Sequence, residues 1–125
     1  MQDSKIVYVV DDDAGMLRGI RRLLAQHGYE SRSFQSAEAL ETHNEFEKAI
    51  CIVLDINLGG TSGIELRRRL QNSGVSLPVI YITGKDTPYT RSAALESGCL
   101  AYLTKPFKSV SLLESIDRAA RSGPG

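Results

Sequence analysis

The sequence predicts an α/β domain built on an open parallel sheet. Strand-like apolar runs alternate with helix-periodic segments from one end to the other, the pattern of successive βαβ units. A central run, residues 49–55, is apolar at consecutive rather than alternate positions, so both of its faces need cover, as in the middle of a parallel sheet. The chain has 125 residues, the size of one ordinary domain, and such a domain hides roughly two thirds of its unfolded surface.

Each element can be justified in turn. Residues 6–10, Ile-Val-Tyr-Val-Val, form the first strand. The first helix covers about residues 14–27, with Met16, Leu17, Ile20, Leu23 and Leu24 at helical spacing and Gly28 placed to end it. A short second strand at residues 29–34 leads to a second helix that Ser36 caps. The third strand is residues 49–55; after a Gly-rich loop, residues 63–70 read as the third helix and residues 78–83 as the fourth strand. Thr87 and Pro88 supply the N-cap and first turn of a fourth helix that Gly98 stops. A brief fifth strand at residues 101–104 precedes Lys105-Pro106 and a last helix at about residues 109–121.

Composition narrows the function classes. With 42% hydrophobic and 24% charged residues the chain sits near the average for globular proteins, far from disordered or collagen-like sequences. Fifteen Lys and Arg balance fifteen Asp and Glu, so no global field draws the chain to nucleic acid or anionic lipid, and no direct DNA contact is expected. Cys51 and Cys99 lack metal-ligand spacing and read as two buried free thiols. The apolar run at residues 49–54 is far short of the about 20 residues that span a bilayer. No charged-then-apolar signal segment opens the sequence, and the cytoplasm is the expected location. Residues 1–121 are expected to form the domain, and residues 122–125 a linker-like tail: a natural terminus, an artificial end, or the start of a tether to a further domain.

Ligands of open parallel sheets bind beyond the carboxyl ends of the strands. There the first strand delivers Asp11-Asp12-Asp13, the third Asp55, the fourth Thr83 and the fifth Lys105. Converging carboxylates repel, by about 4 kcal/mol for a pair about 4 Å apart at an effective dielectric of about 20. An all-oxygen set that awaits a phosphate suits Mg²⁺ better than zinc. Asp11, Asp12 and Asp55 are then balanced by Mg²⁺ together with the Lys105 ammonium. Asp55 is the candidate nucleophile, since an ionised carboxylate attacks phosphorus to give an acyl phosphate. Lys105 and the Thr83 hydroxyl are placed to stabilise the transferring oxygens.

The whole chain, over essentially residues 5–120, resembles the receiver domain of two-component response regulators. The motifs that carry the likeness are Val9-Val10-Asp11-Asp12-Asp13, Ile52-Val53-Leu54-Asp55 with Gly63 eight residues on, Tyr81-Ile82-Thr83-Gly84, and Ala101-Tyr102-Leu103-Thr104-Lys105-Pro106-Phe107. The resemblance implies a (βα)₅ flavodoxin-like, doubly wound fold with strand order 2-1-3-4-5. It implies phosphotransfer to Asp55 from the phosphohistidine of a sensor histidine kinase or phosphotransfer protein. Mg²⁺, with Mn²⁺ as a substitute, would be held by Asp11, Asp12, Asp55 and the main-chain carbonyl of Asn57, Asp12 more directly than Asp11. Thr83 and Tyr102 would form the switch pair, Lys105-Pro106 would be a cis bond, and the surface of the fourth helix, fifth strand and fifth helix would change on phosphorylation, pairing two chains. Asn57 and Lys85 stand where the family tunes dephosphorylation. The family's usual Met-Pro is replaced here by Leu58-Gly59-Gly60, which loosens that loop.

Other side chains receive plainer readings. Arg67-Arg68-Arg69 reads as a solvated helix face; Arg18, Arg21 and Arg22 lie near the expected kinase-docking surface but read first as a solvated face as well; His27 and His43 have no convergent partners and are assigned no ligand role. Three rival functions meet obstacles in the same residues. A haloacid-dehalogenase-like phosphatase needs a second acid two residues after its nucleophile, where this chain has Asn57. A phosphate-bearing cofactor of the flavodoxin type would be repelled by Asp11 to Asp13. A receiver-shaped module that signals without phosphorylation would not need the full set Asp12, Asp55, Thr83 and Lys105.

Overall fold

The computed structural model describes residues 5–121, so the tail expected at residues 122–125 lies outside the described residues. Five parallel strands, β1 (Ile6–Val10), β2 (Glu30–Phe34), β3 (Ala49–Asp55), β4 (Val79–Thr83) and β5 (Ala101–Thr104), stand in the order β2-β1-β3-β4-β5. Between and after them run α1 (Ala14–Gln26), α2 (Ala37–His43), α3 (Gly63–Asn72), α4 (Pro88–Glu96) and α5 (Ser109–Arg121). This is the doubly wound (βα)₅ architecture with the expected strand order.

Side chains alternate across the sheet and so build two cores. Tyr8 and Val10 of β1 face the same side as Ile52 and Leu54 of β3 and meet Leu40 of α2, Leu66 and Leu70 of α3 and Ala94 of α4. Val7 and Val9 face the other side with Cys51, Val53, Ile80 and Ile82, under Leu17, Ile20 and Leu24 of α1 and Leu112 and Ile116 of α5. Each fully buried aliphatic side chain contributes about 2 kcal/mol through the water it leaves. Both faces of β3 are covered, which is why its sequence does not alternate.

The helix ends follow local chemistry. Asp13 caps α1 through Oδ1, which accepts from the amides of Gly15 and Met16. Ser36, Ser62 and Thr87 cap α2, α3 and α4 in the same way. Gly28 and Gly98 stand at φ 85° and 84° after α1 and α4, a conformation that costs other residues a Cβ clash. Several boundaries differ from expectation. α1 stops at Gln26, β2 starts at Glu30, β4 starts at Val79, and α3 runs on to Asn72. A 3₁₀ turn at Phe46–Lys48, unsignalled in the sequence, delivers the chain into β3.

Two plain readings are corrected. Cys51 is buried, but Cys99 is only half-buried. The contacts of His43 are structural: its Nε2 lies 3.1 Å from the Tyr8 hydroxyl, and its ring meets those of Tyr8 and Phe34 edge-on. Arg67 is not on a solvated face. It is 8% exposed and donates from Nε to the Ser97 carbonyl (3.1 Å) and from Nη2 to the Gly98 carbonyl (3.0 Å), tying α3 to the end of α4. Arg68 and Arg69 instead pair with Glu65 and Glu41 nearer the surface. Arg67→Met is therefore expected to lower unfolding free energy by about 2 kcal/mol, because charged hydrogen bonds are lost and two carbonyls are stranded. Arg68→Met should cost no more than about 0.5 kcal/mol. Denaturant titration of the two variants checks the contrast, and equal midpoints would refute it.

Candidate functional site

The carboxyl ends of four strands meet at one edge of the sheet. Asp11 follows β1 and is fully buried, Asp55 ends β3 at 3% exposure, Thr83 ends β4 and is fully buried, and Lys105 follows β5. Main-chain bonds fix this edge: Asp11 N donates to Phe34 O (3.1 Å), Ile56 N to Ile82 O (2.9 Å) and Lys105 N to Thr83 O (2.8 Å). The Lys105–Pro106 peptide bond is cis.

The Lys105 ammonium bridges two acids, 2.9 Å from Asp11 Oδ2 and 3.3 Å from Asp55 Oδ2. The remaining oxygens are engaged locally, Asp11 Oδ1 by the Asp13 amide (2.9 Å) and Asp55 Oδ1 by the Asn57 amide (3.0 Å). Asp12 is exposed and turns a third carboxylate to the same place, so that ligand oxygens of Asp11, Asp12 and Asp55 lie within 4.8 Å of one another. Asp13, by contrast, is spent on the cap of α1.

Burial pushes the Asp55 carboxyl up to about 6; the Asn57 amide pulls it back, Asp11 raises it further, and Lys105 lowers it. Burial also works against the Lys105 ammonium, but its hydrogen bond to Asp11 and the Asp55 charge outweigh that and hold its pKa above the ordinary value. Three carboxylates face a single ammonium here. The two surplus negative charges and the all-oxygen donor set fit a hard divalent cation, which the cluster could hold.

Thr83 is not free in this state. Its hydroxyl donates to Asn57 Oδ1 (2.8 Å) and its oxygen accepts from the Lys85 amide (3.0 Å). Tyr102, half-buried on β5, donates to Asp86 Oδ1 (2.8 Å). The Asn57 side chain and Asp86 thus join the site's surroundings without having been marked for these contacts by any sequence motif.

A family model described as the response regulator receiver domain matches residues 7–117. The chain belongs to this family. Receiver domains of this kind are the signal-accepting modules of two-component systems. Among curated relatives, Nodulation protein W of Bradyrhizobium diazoefficiens is 35% identical over 112 residues, covering 89% of this chain and 49% of its own length. Response regulator protein TmoT of Ectopseudomonas mendocina is 30% identical over 125 residues, covering 99% of this chain and 57% of its own length. The receiver chain therefore spans about half the length of the curated relatives it matches. Among solved structures, FixJ-N superposes with a TM-score of 0.89 at 28% identity, over 100% of this chain and 99% of that one. The response regulator StyR gives 0.85 at 35% identity, over 94% of this chain and 60% of that one. No helix among the described residues of the receiver is long and apolar enough to cross a membrane.

Proposed function

We propose that this receiver takes a phosphoryl group on Asp55 from the phosphohistidine of a sensor histidine kinase or phosphotransfer protein. The observation that carries the reading is the Lys105 ammonium set between Asp11 and Asp55, with Asp12 beside them. A buried carboxylate is thereby presented to an incoming phosphate with a fixed cation at its side. An Asp55 carboxylate oxygen attacks phosphorus, the phosphorus–nitrogen bond of the donor breaks, and the imidazole leaves with that electron pair. Lys105 and the Thr83 hydroxyl neutralise and hydrogen-bond the phosphoryl oxygens. Asp11, Asp12, Asp55 and the main-chain carbonyl of Asn57 would hold Mg²⁺, or Mn²⁺ in its place. When bound, the metal supplies the positive charge that the transfer otherwise lacks.

Thr83 then exchanges Asn57 Oδ1 for a phosphoryl oxygen, and Tyr102 follows it inward. The surface of α4, β5 and α5 changes as a result, pairing two chains or engaging an output domain beyond this segment, one that controls transcription. Residues 1–121 would be the switching unit, acting in the cytoplasm. Asn57 and Lys85 would tune the lifetime of the acyl phosphate. The phosphatase rival gains no support, since the residue at the place of its general acid is Asn57, whose side-chain oxygen receives the Thr83 hydrogen bond.

Acetyl phosphate with Mg²⁺ is expected to add one phosphoryl group to the protein, and a chelator to suppress it. Asp12→Ala should slow incorporation by at least about tenfold and remove the Mg²⁺-linked rise in melting temperature. Its metal-free melting should stay close to wild type because the side chain is exposed. Undiminished labelling of Asp12→Ala, or labelling that ignores the chelator, would overturn the metal assignment.

A further inference from the structure

Three side chains on the α4 side of the pocket form a closed set. The Asp86 carboxylate accepts from the Tyr102 hydroxyl at Oδ1 (2.8 Å) and from Arg91 Nη2 at Oδ2 (2.7 Å). The Arg91 guanidinium in turn lies over the Tyr102 ring, 4.8 Å from its centroid. The three belong to different parts of the fold: Asp86 to the loop between β4 and α4, Arg91 to α4, and Tyr102 to β5. Together they fasten the loop and the helix to the edge strand.

The same loop begins at Thr83. Its hydroxyl oxygen accepts from the Lys85 amide, one residue before Asp86. A phosphoryl oxygen at Asp55 competes with Asn57 Oδ1 for the Thr83 proton. On the phosphoacceptor reading, movement of that hydroxyl would also break the Lys85 bond and free the loop next to Asp86, and Tyr102, which Asp86 holds, is the side chain that turns inward.

We propose that Asp86 and Arg91 are a latch that holds Tyr102 outward in the unphosphorylated chain, so that phosphoryl binding at Asp55 works against it. The proposal rests on the phosphoacceptor reading above. Electrostatics agree with the geometry. Hydrogen bonds from Arg91 and Tyr102 hold the Asp86 carboxyl below its usual range. Burial and the Asp86 hydrogen bond push the Tyr102 phenol up to about 12. Asp86 and Arg91 are positioning residues, since they touch neither Asp55 nor its partners in the pocket.

Linkage turns this into a measurable effect. A contact made only in the resting state lowers affinity for any ligand of the switched state by the same factor by which it favours rest. The probe is beryllofluoride with Mg²⁺, which mimics a phosphoryl group on a carboxylate, titrated by calorimetry. Asp86→Ala and, as a second variant, Arg91→Gln are expected to bind it about threefold to tenfold more tightly than wild type. In a Tyr102→Phe background, which lacks the hydroxyl, Asp86→Ala should add little. That non-additivity separates a latch acting through Tyr102 from a general effect on α4. Unchanged affinity in both single variants, or an Asp86→Ala effect that persists in full in the Tyr102→Phe background, overturns the latch alone. A wild-type chain that binds no beryllofluoride overturns the phosphoacceptor reading and the latch with it.

Discussion

Replacing Gly63 with alanine is expected to cost about 3 kcal/mol, near the top of the range for overpacking a rigid site, and to lower the melting temperature by about 10 °C. Gly63 opens α3 and is buried against the end of β3, its amide donating to Ile56 O at 2.8 Å. A Cβ there would clash with the Asp55 carbonyl oxygen, and would lie 3.0 Å from Ile56 Cα and 3.1 Å from Asp55 C. Every one of these atoms is backbone, so no rotamer change relieves the contact. The strand end or the helix start must move, and Asp55 moves with it. Phosphoryl incorporation should fall together with stability. Gly60→Ala is the control, because a Cβ on Gly60 meets nothing within 4 Å. Thermal melts in which Gly63→Ala matched Gly60→Ala would refute the close-approach argument.

Asp55→Asn is expected to act in the opposite direction on stability while ending the chemistry. The Asp55 carboxyl is pushed up to about 6 from an ordinary 3.8, first by burial. A raised folded-state pKa gives stability that is present in full below 3.8 and is lost as pH rises through about 6. At neutral pH the metal-free wild type therefore carries a burden that asparagine does not. The variant should be more stable there by about 1–2 kcal/mol, less than the full shift implies because asparagine leaves the Lys105 ammonium paired with one acid in place of two. The gain should shrink toward zero as pH falls from about 6 to 3.8, where the wild-type carboxyl is protonated too. Added Mg²⁺ should erase it by stabilising the wild type selectively. Denaturant titrations at neutral and acid pH check the sign, and a gain that grew on acidification would contradict the assigned cause.

Much of this architecture was legible in the residues, and the exceptions share a physical reason. The unbroken apolar run of β3 marks a strand covered on both faces, and Gly28 and Gly98 mark helix ends because they supply the left-handed conformation required there. Asp11, Asp55, Thr83 and Lys105 were visible as a set because each closes or follows a strand, and a parallel sheet brings those ends to one edge. Local pattern does not show which member of an arginine run turns inward. Arg67 is buried because the carbonyls of Ser97 and Gly98 reach it from the end of α4, about thirty residues away in sequence. Asp86 and Tyr102 stand 16 residues apart and meet only through the packing of α4 beside β5. The role of the Asn57 side chain as partner of Thr83 likewise depends on β3 lying next to β4. Contacts of that kind are made by tertiary register and leave no motif behind.

The central claim, that Asp55 is the phosphoryl acceptor, is tested most directly by intact-mass measurement of wild type and Asp55→Asn side by side. Both are incubated with acetyl phosphate and Mg²⁺, with amide exchange confirming that the variant is folded. One phosphoryl group is expected on the wild type, removed by hydroxylamine as an acyl phosphate must be, and none on Asp55→Asn. Equal labelling of the two proteins, or a hydroxylamine-stable adduct, would contradict it.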